Sequence, residues 1–413
     1  MITRRGLLEA AAGAVAIGGS DALAAPAGSV ALQEDTRPWL SPLLPEGTRA
    51  EAAFETLTGK KPLIRLTDRP PNYEAPLNYL RTAITPNDEF FVRYHLAGIP
   101  QVDASTWKLS LSGEFANGDV AIGLDALRSL PAFEVTAVCQ CAGNRRGLFQ
   151  PHVPGVQWGD GAMGCARWKG ARLKDVLDLA GLKKNVVEVV FDGADGPILD
   201  KTPDFLKSLP LWKAIEETTL VAYEMNGEAL PHWNGFPARI VVPGWTATYW
   251  MKHVTTITAV TKPFDGFWMK SAYRIPLGKF PLVARFLSQE TDANTPITEI
   301  VVNSLITSPV DGTRIKAGQR TMVSGIAWDG GYGINRVEIS ADCGQSWTEA
   351  ALGEDLGKYA FRSWSHEFIP TRGKLSFASR ATNRIGQTQT IELVQNPAGY
   401  HNNVIRTVML DVV

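Results

Sequence analysis

The sequence changes character near residues 288–296, and that change sets the architecture. Upstream, short apolar runs with strand and helix periodicity are interleaved. At 288–296 the composition turns to Ser, Gln, Asp, Asn, Thr and Pro. Downstream, strand-like runs and turns alternate to the end, over about 115 residues. A chain patterned this way predicts an α+β domain followed by a β-sandwich. In the first part, helices are expected near 50–57, 123–130, 172–180 (with Gly181 as its cap) and 210–216. Strands are expected at 90–95, 107–113, 133–138, 186–191, 220–225, 238–242 and 254–260, with a turn at Asn226-Gly227. In the second part, strands are expected at 300–302, 320–326, 336–340, 364–368, 375–380 and 388–393. No internal repeat is visible. The expected domains are a leader at 1–25, an extended lead-in at 26–60, a catalytic domain at 61–290 and a sandwich at 291–413.

The leader is read from three parts. Arg4-Arg5 is followed by a small-residue apolar stretch at 10–17 and by Ala22-Leu23-Ala24-Ala25, which has the form of a cleavage site. Paired arginines mark the twin-arginine export signal, and the apolar stretch is too short to span a bilayer. That route carries folded proteins, so the expectation is a periplasmic protein whose cofactor is inserted before export.

Composition removes several function classes. The chain has four cysteines: Cys139, Cys141, Cys165 and Cys343. They do not make a disulfide scaffold, an iron–sulfur set or a Cys-x-x-Cys-His haem site. Six histidines without a His-Glu-x-x-His motif speak against a zinc hydrolase. A formal net charge of −1 with scattered basic residues speaks against nucleic acid as a partner. Trp is frequent, at twelve residues. Indoles can wall a polar pocket or simply fill a core.

The run with the most chemistry is Cys141-Ala142-Gly143-Asn144-Arg145-Arg146. A thiolate can hold a soft, redox-active metal, and a guanidinium can grip an oxyanion through two parallel hydrogen bonds. Read alone, Cys141 is also compatible with a buried structural thiol.

With this run, Arg93-Tyr94-His95, Pro243-Gly244 and Tyr273 in view, the chain resembles the sulfite oxidase family over roughly residues 60–413. It looks closest to bacterial periplasmic sulfite dehydrogenases that lack a haem domain. The resemblance implies a sulfite oxidase fold with an immunoglobulin-like β-sandwich that forms a homodimer. It implies molybdenum on a molybdopterin without nucleotide, with Cys141 as the protein ligand. Sulfite would be oxidised to sulfate, and electrons would pass to a periplasmic c-type cytochrome. Arg93 and Arg146 match substrate arginines, Tyr273 a catalytic tyrosine and Trp158 a pocket wall. His95, Gly143, Asn144, Asn234, Arg239, Thr246 and Lys252 match positions around the pterin. Two departures stand out. Asn234 replaces a histidine of animal members, and a third pocket arginine from the second domain is missing in the stretch 329–335, the next arginine being Arg336. The rival expectations are a sulfane dehydrogenase subunit of a thiosulfate-oxidising complex and a non-enzymatic periplasmic sandwich protein.

Overall fold

Residues 40–278 and 289–413 are described in a computed structural model of the protein. The expected leader lies outside the described residues, as does the lead-in up to residue 39. The first part holds three antiparallel or mixed sheets. Ala132–Gln140, Met163–Arg172, Leu220–Met225 and Glu228–Ala229 form one, with Arg239–Val241 also paired to Leu220–Met225. A second runs Lys207–Pro210, Glu188–Gly193, Val254–Val260, Lys108–Gly113, Val120–Gly123, its one parallel pair being Val254–Val260 with Lys108–Gly113. A small third sheet is built from Ala53–Glu55, Leu63–Thr67, Asn72–Glu74 and Val92–Arg93. Helices Leu124–Ser129 and Leu173–Ala180 pack on these sheets; Gly181, at φ 70°, closes the second. Asn226 and Gly227 both take positive φ between Leu220–Met225 and Glu228–Ala229, the backbone of a two-residue hairpin turn.

The second part is the expected sandwich. One sheet runs Asn303–Ser308, Thr321–Trp328, Arg362–Phe368, Ala351–Leu352. The other runs Arg314–Ile315, Thr407–Val412, Gly373–Asn383, Ile334–Ser340, Thr348–Glu349. Val337, Trp364, Phe377 and Leu410 fill the space between them. The two parts are joined by a shared apolar cluster, with Val138, Met163 and Cys165 against Leu305, Ile326 and Trp328. Trp328 Nε1 donates to Gln140 Oε1 at 2.5 Å, and Val138 N–H donates to Tyr359 O at 2.9 Å. Residues 294–300 attach to the catalytic side: Asn294–Pro296 pairs with Arg274–Pro276, and Ile300 N–H donates to Gly244 O.

Several elements differ from expectation. The first helix is Glu46–Glu51, after Pro45, and Ala53–Glu55 is a strand. Only Val92–Arg93 of 90–95 is paired. Phe90 and Phe91 are consecutive and both buried, which a half-buried strand cannot provide. Residues 388–393 make only isolated bridges, at Thr388 and Thr390, and Ile391 is exposed. The sandwich begins at Asn303 rather than at 300. The sequence reading assigned no strand to Met163–Arg172, the centre of its sheet. It is poor in β-branched residues because its neighbours approach too closely. A Cβ on Gly170 would lie 2.1 Å from Val221 O, and one on Gly164 2.5 Å from the Phe90 ring.

Candidate active site

Where the Ala132–Gln140 strand ends, the chain turns sharply. Cys141 N–H still donates to Ala162 O, and then Asn144, Arg146, Leu148 and Phe149 each donate back three residues. Arg145 takes the left-handed conformation at φ 67°. This geometry leaves Cys141 at the wall of a cleft. The cleft is also lined by Arg93, His95, Asn234, Arg239, Thr248, Lys252 and Tyr273. Seven of the expected site residues therefore meet there: Arg93, His95, Cys141, Asn234, Arg239, Lys252 and Tyr273.

One end of the cleft is an aromatic and guanidinium group. Arg93 Nη2 donates to Tyr273 Oη at 3.2 Å, and Tyr273 Oη lies 2.5 Å from His95 Nε2. A guanidinium only donates, so Tyr273 accepts from it and has its own proton to direct at His95 or into the cleft. Burial holds the Tyr273 phenol above its ordinary pKa, against the pull of Arg93. His95 is driven well below the ordinary imidazole range by burial, reinforced by Arg93, Lys252 and Lys207, so it is neutral. Its ring stacks on Phe205 at 3.5 Å. Tyr273 sits at φ 59°, a strained value for an aromatic residue.

The other end holds two basic side chains, Arg239 and Lys252, and burial, reinforced by Arg239 and Arg93, drives the Lys252 pKa well below the ordinary lysine range. Arg239 donates to Asn234 O at 2.9 Å and Trp250 O at 3.0 Å, between the rings of Trp168 and Trp250. Lys252 Nζ lies 2.8 Å from the Tyr94 ring centroid. Tyr94 Oη is 2.7 Å from His253 Nε2, and His253 Nδ1 is 2.6 Å from Phe236 O. Because a carbonyl only accepts, Nδ1 carries the proton and Tyr94 donates to Nε2. Burial brings the His253 pKa down to about 3, which keeps the ring neutral in this relay. Burial likewise pushes the Cys139 thiol up to about 11.

Other expected residues serve different ends. Arg146 does not line the cleft. Its Nε donates to Ala398 O at 2.9 Å and its Nη1 to Val156 O at 3.3 Å. Gly143 makes room for that side chain, since a Cβ there would lie 2.7 Å from Arg146 Nη1. Asn144 is turned inward, and its Oδ1 accepts from Ala162 N–H at 3.0 Å. Trp158 is fully buried and does not line the cleft, and its Nε1 has no hydrogen-bond partner among the described residues. Thr246 is buried beside the cleft without lining it. The stretch 329–335 does not line the cleft either. The Asp329 carboxylate gathers the N–H groups of Gly331, Tyr332 and Gly333, and Arg336 pairs with Glu338 at 3.4 Å. The second domain reaches the site instead through Ala398 and Tyr400.

Three contributors escaped the sequence reading. Lys60 Nζ donates to Asn234 Oδ1 at 2.6 Å and so orients that side chain from the N-terminal segment. Lys207 is fully buried, its Nζ 5.2 Å from the Tyr273 ring centroid. Asp195 is the only acid on the cleft wall among the described residues. Each is a long-range neighbour with no local motif to announce it.

The donor set fits an anionic cofactor with a soft metal. Arg93, Arg239 and Lys252 outnumber Asp195 on the wall. Arg239 Nε, Thr246 Oγ1 and Thr248 Oγ1 are buried with no hydrogen-bond partner among the described residues, and buried polar atoms seldom stay unpaired. Among the described residues no three His, Cys, Asp or Glu side chains gather to hold a metal by themselves.

Residues 95–268 match the oxidoreductase molybdopterin-binding domain, and 294–411 match the Mo-co oxidoreductase dimerisation domain. Mitochondrial sulfite oxidase of Rattus norvegicus is 35% identical over 86% of this chain and 66% of its own length. The chain thus spans about two thirds of the rat protein. Sulfite oxidase of Arabidopsis thaliana is 33% identical over 76% of this chain and 81% of its own. The solved structure of the sulfane dehydrogenase SoxCD from Paracoccus pantotrophus superposes with a TM-score of 0.73 at 25% identity, covering 89% of this chain and 90% of that one.

Proposed function

The chain belongs to the sulfite oxidase family of molybdopterin-binding oxidoreductases, and we propose on that premise that it oxidises sulfite to sulfate. Electrons would then pass one at a time to a separate c-type cytochrome, from a periplasmic location. The observation that carries the reading is the convergence on one cleft of Cys141, the Arg93–His95–Tyr273 group and the Arg239–Lys252 pair. In this proposal Cys141 is the protein's thiolate ligand. Arg239, Lys252 and the unpaired hydroxyls of Thr246 and Thr248 receive the pterin and its phosphate, with Asn234 held beside them by Lys60. When bound, the molybdenum centre supplies oxygen-atom transfer to sulfur and storage of two electrons.

The protein's own part is electrostatic and positional. Arg93 stays charged and meets the oxyanion with a planar, fixed donor pair. Its hydrogen bond to Tyr273 Oη fixes that oxygen as an acceptor on one side. The phenolic proton is then aimed at His95 or at an oxygen in the cleft. Neutral His95 can accept a hydrogen bond from the phenol at Nε2 without placing a further cation beside Arg93. The stacked rings of His95 and Phe205 exclude water from this corner and strengthen each of these contacts.

A second reading is oxidation of carrier-bound sulfane sulfur. The near end-to-end superposition on the SoxCD chain favours it. An arginine pair in the pocket would have favoured free sulfite, but Arg146 is bonded to Ala398 O and Val156 O instead. Steady-state turnover of molybdenum-loaded protein with sulfite, with thiosulfate and with a persulfidated carrier peptide tests the two. Saturable cytochrome c reduction by free sulfite supports the first reading. Turnover of the carrier-bound substrate alone would replace it with the second.

A further inference from the structure

Between the Gly373–Asn383 and Thr407–Val412 strands of the sandwich, the chain leaves its own domain and lies along the Cys141–Phe149 loop. The attachment is dense. Arg145 donates to Asn303 Oδ1 at 2.8 Å, Asn402 O at 3.3 Å and Val404 O at 3.0 Å, and Asn402 Nδ2 donates back to Arg145 O at 3.1 Å. Arg406 pairs with Asp160, which also faces Arg145 Nε at 3.1 Å. Asn396 fixes the turn by accepting from Tyr400 N–H and donating to Tyr400 O. Gly399, at φ 63°, permits the approach, because a Cβ there would lie 2.8 Å from Arg146 Cγ and 2.3 Å from Val153 Cγ2.

The side chain delivered by this strap is Tyr400. Its ring stacks on Tyr273 with centroids 5.7 Å apart and planes at 10°. The Arg146 guanidinium carbon is 5.1 Å from the centroid of the same ring. The Tyr400 hydroxyl makes no hydrogen bond among the described residues, so the ring face makes both contacts. Offset stacking and cation–π attraction are geometry-dependent and strengthen when desolvated, and Tyr400 is 4% exposed.

We propose that Tyr400, a residue of the C-terminal domain, is a positioning residue for oxyanion binding: its ring stacks on Tyr273 and fixes it against Arg93, while the Arg146 guanidinium, outside the cleft, packs on the same ring. This rests on the oxyanion-oxidation reading above. The site is then composite, the second domain contributing an aromatic face to it.

The test uses molybdenum-loaded full-length protein as wild type, Tyr400→Phe and Tyr400→Leu. Two quantities are read: the dissociation constant for sulfate by titration calorimetry, and kcat and KM for sulfite. Tyr400→Leu is expected to weaken sulfate binding and raise KM for sulfite by about tenfold, with kcat changed by less than about threefold and metal content unchanged. Tyr400→Phe is expected to stay within about twofold of wild type on both. If the leucine variant does not fold, Tyr400→Met fills a comparable volume without a ring and takes its place. Wild-type sulfate affinity in the ringless variant, with molybdenum intact, overturns the proposal. So does a phenylalanine variant as impaired as the leucine one, or a wild type that binds no sulfate. A wild type that does not oxidise sulfite, but whose sulfate affinity still falls on loss of the ring, would remove the functional reading and leave Tyr400's role standing.

Discussion

Arg93 is the residue whose removal reads most directly on substrate. Among the described residues it is the one guanidinium bonded to Tyr273, and it lies on the cleft wall. Arg93→Gln forfeits a charge-assisted contact of ~1.5–3 kcal/mol, which lowers kcat/KM for sulfite by about 10- to 150-fold. Arg146 behaves differently. Arg146→Lys loses the fork that spans Ala398 O and Val156 O, so the lysine does not rescue. Its expected signature is a lower melting temperature as well as lower activity. Lys207 carries a pH prediction. Burial lowers its pKa from the ordinary lysine value to about 7. The unfolded chain therefore binds more protons between about pH 7 and 10.5, and stability from this group rises with pH across that window. Lys207→Met should flatten that slope, and should be more stable than wild type at pH 7. Unfolding free energies measured at pH 7 and pH 9.5 for both proteins check it. At this scale the sequence was legible where a residue belongs to a local run: Cys141, Arg93 and His95 belong to such runs and line one cleft. Arg146 looked like a pocket cation from its spacing. Its direction is set by Gly143, Gly155 and Ala398, the last of which is far away in sequence, and no local pattern encodes that.

At the scale of elements, alternation and turn chemistry carried most of the reading. The strands Leu220–Met225 and Val254–Val260, the helix closed by Gly181 and the Asn226-Gly227 turn are each dictated by residues within their own span. The failures share a cause: tertiary neighbours overrode local preference. Met163–Arg172 is a central strand because glycines let Phe90 and Val221 approach. Residues 388–393 are apolar enough for a strand but fold back beside Asn383. A loop–loop contact between the domains gives the prediction at this scale. Gly244, at φ 81°, faces Gly330 O, with a Cβ position only 2.3 Å from that oxygen. Gly244→Ala adds left-handed strain to a backbone clash and should cost about 1–3 kcal/mol. Its effect should exceed that of Gly227→Ala, where a Cβ meets nothing within 4 Å. Denaturant midpoints of the two variants measure the difference.

For the whole molecule, the break in pattern near 288–296 and the sandwich beyond it were visible from composition alone. The way the two parts combine was not: the sandwich lends the site Tyr400, and it anchors the loop that carries the thiolate. The dimerisation-domain match at 294–411 predicts a two-fold assembly, which sedimentation of the mature protein at micromolar concentration should show as a dimer. The central claim is that this cleft holds molybdenum through Cys141. X-ray absorption at the molybdenum edge, with metal and pterin analysis, on wild type and Cys141→Ser tests it most directly. One molybdenum and one pterin per wild-type chain are expected, and one Mo–S contact fewer in the variant, with turnover nearly abolished. Wild-type protein without molybdenum, or Mo–S coordination unchanged in the variant, would contradict it.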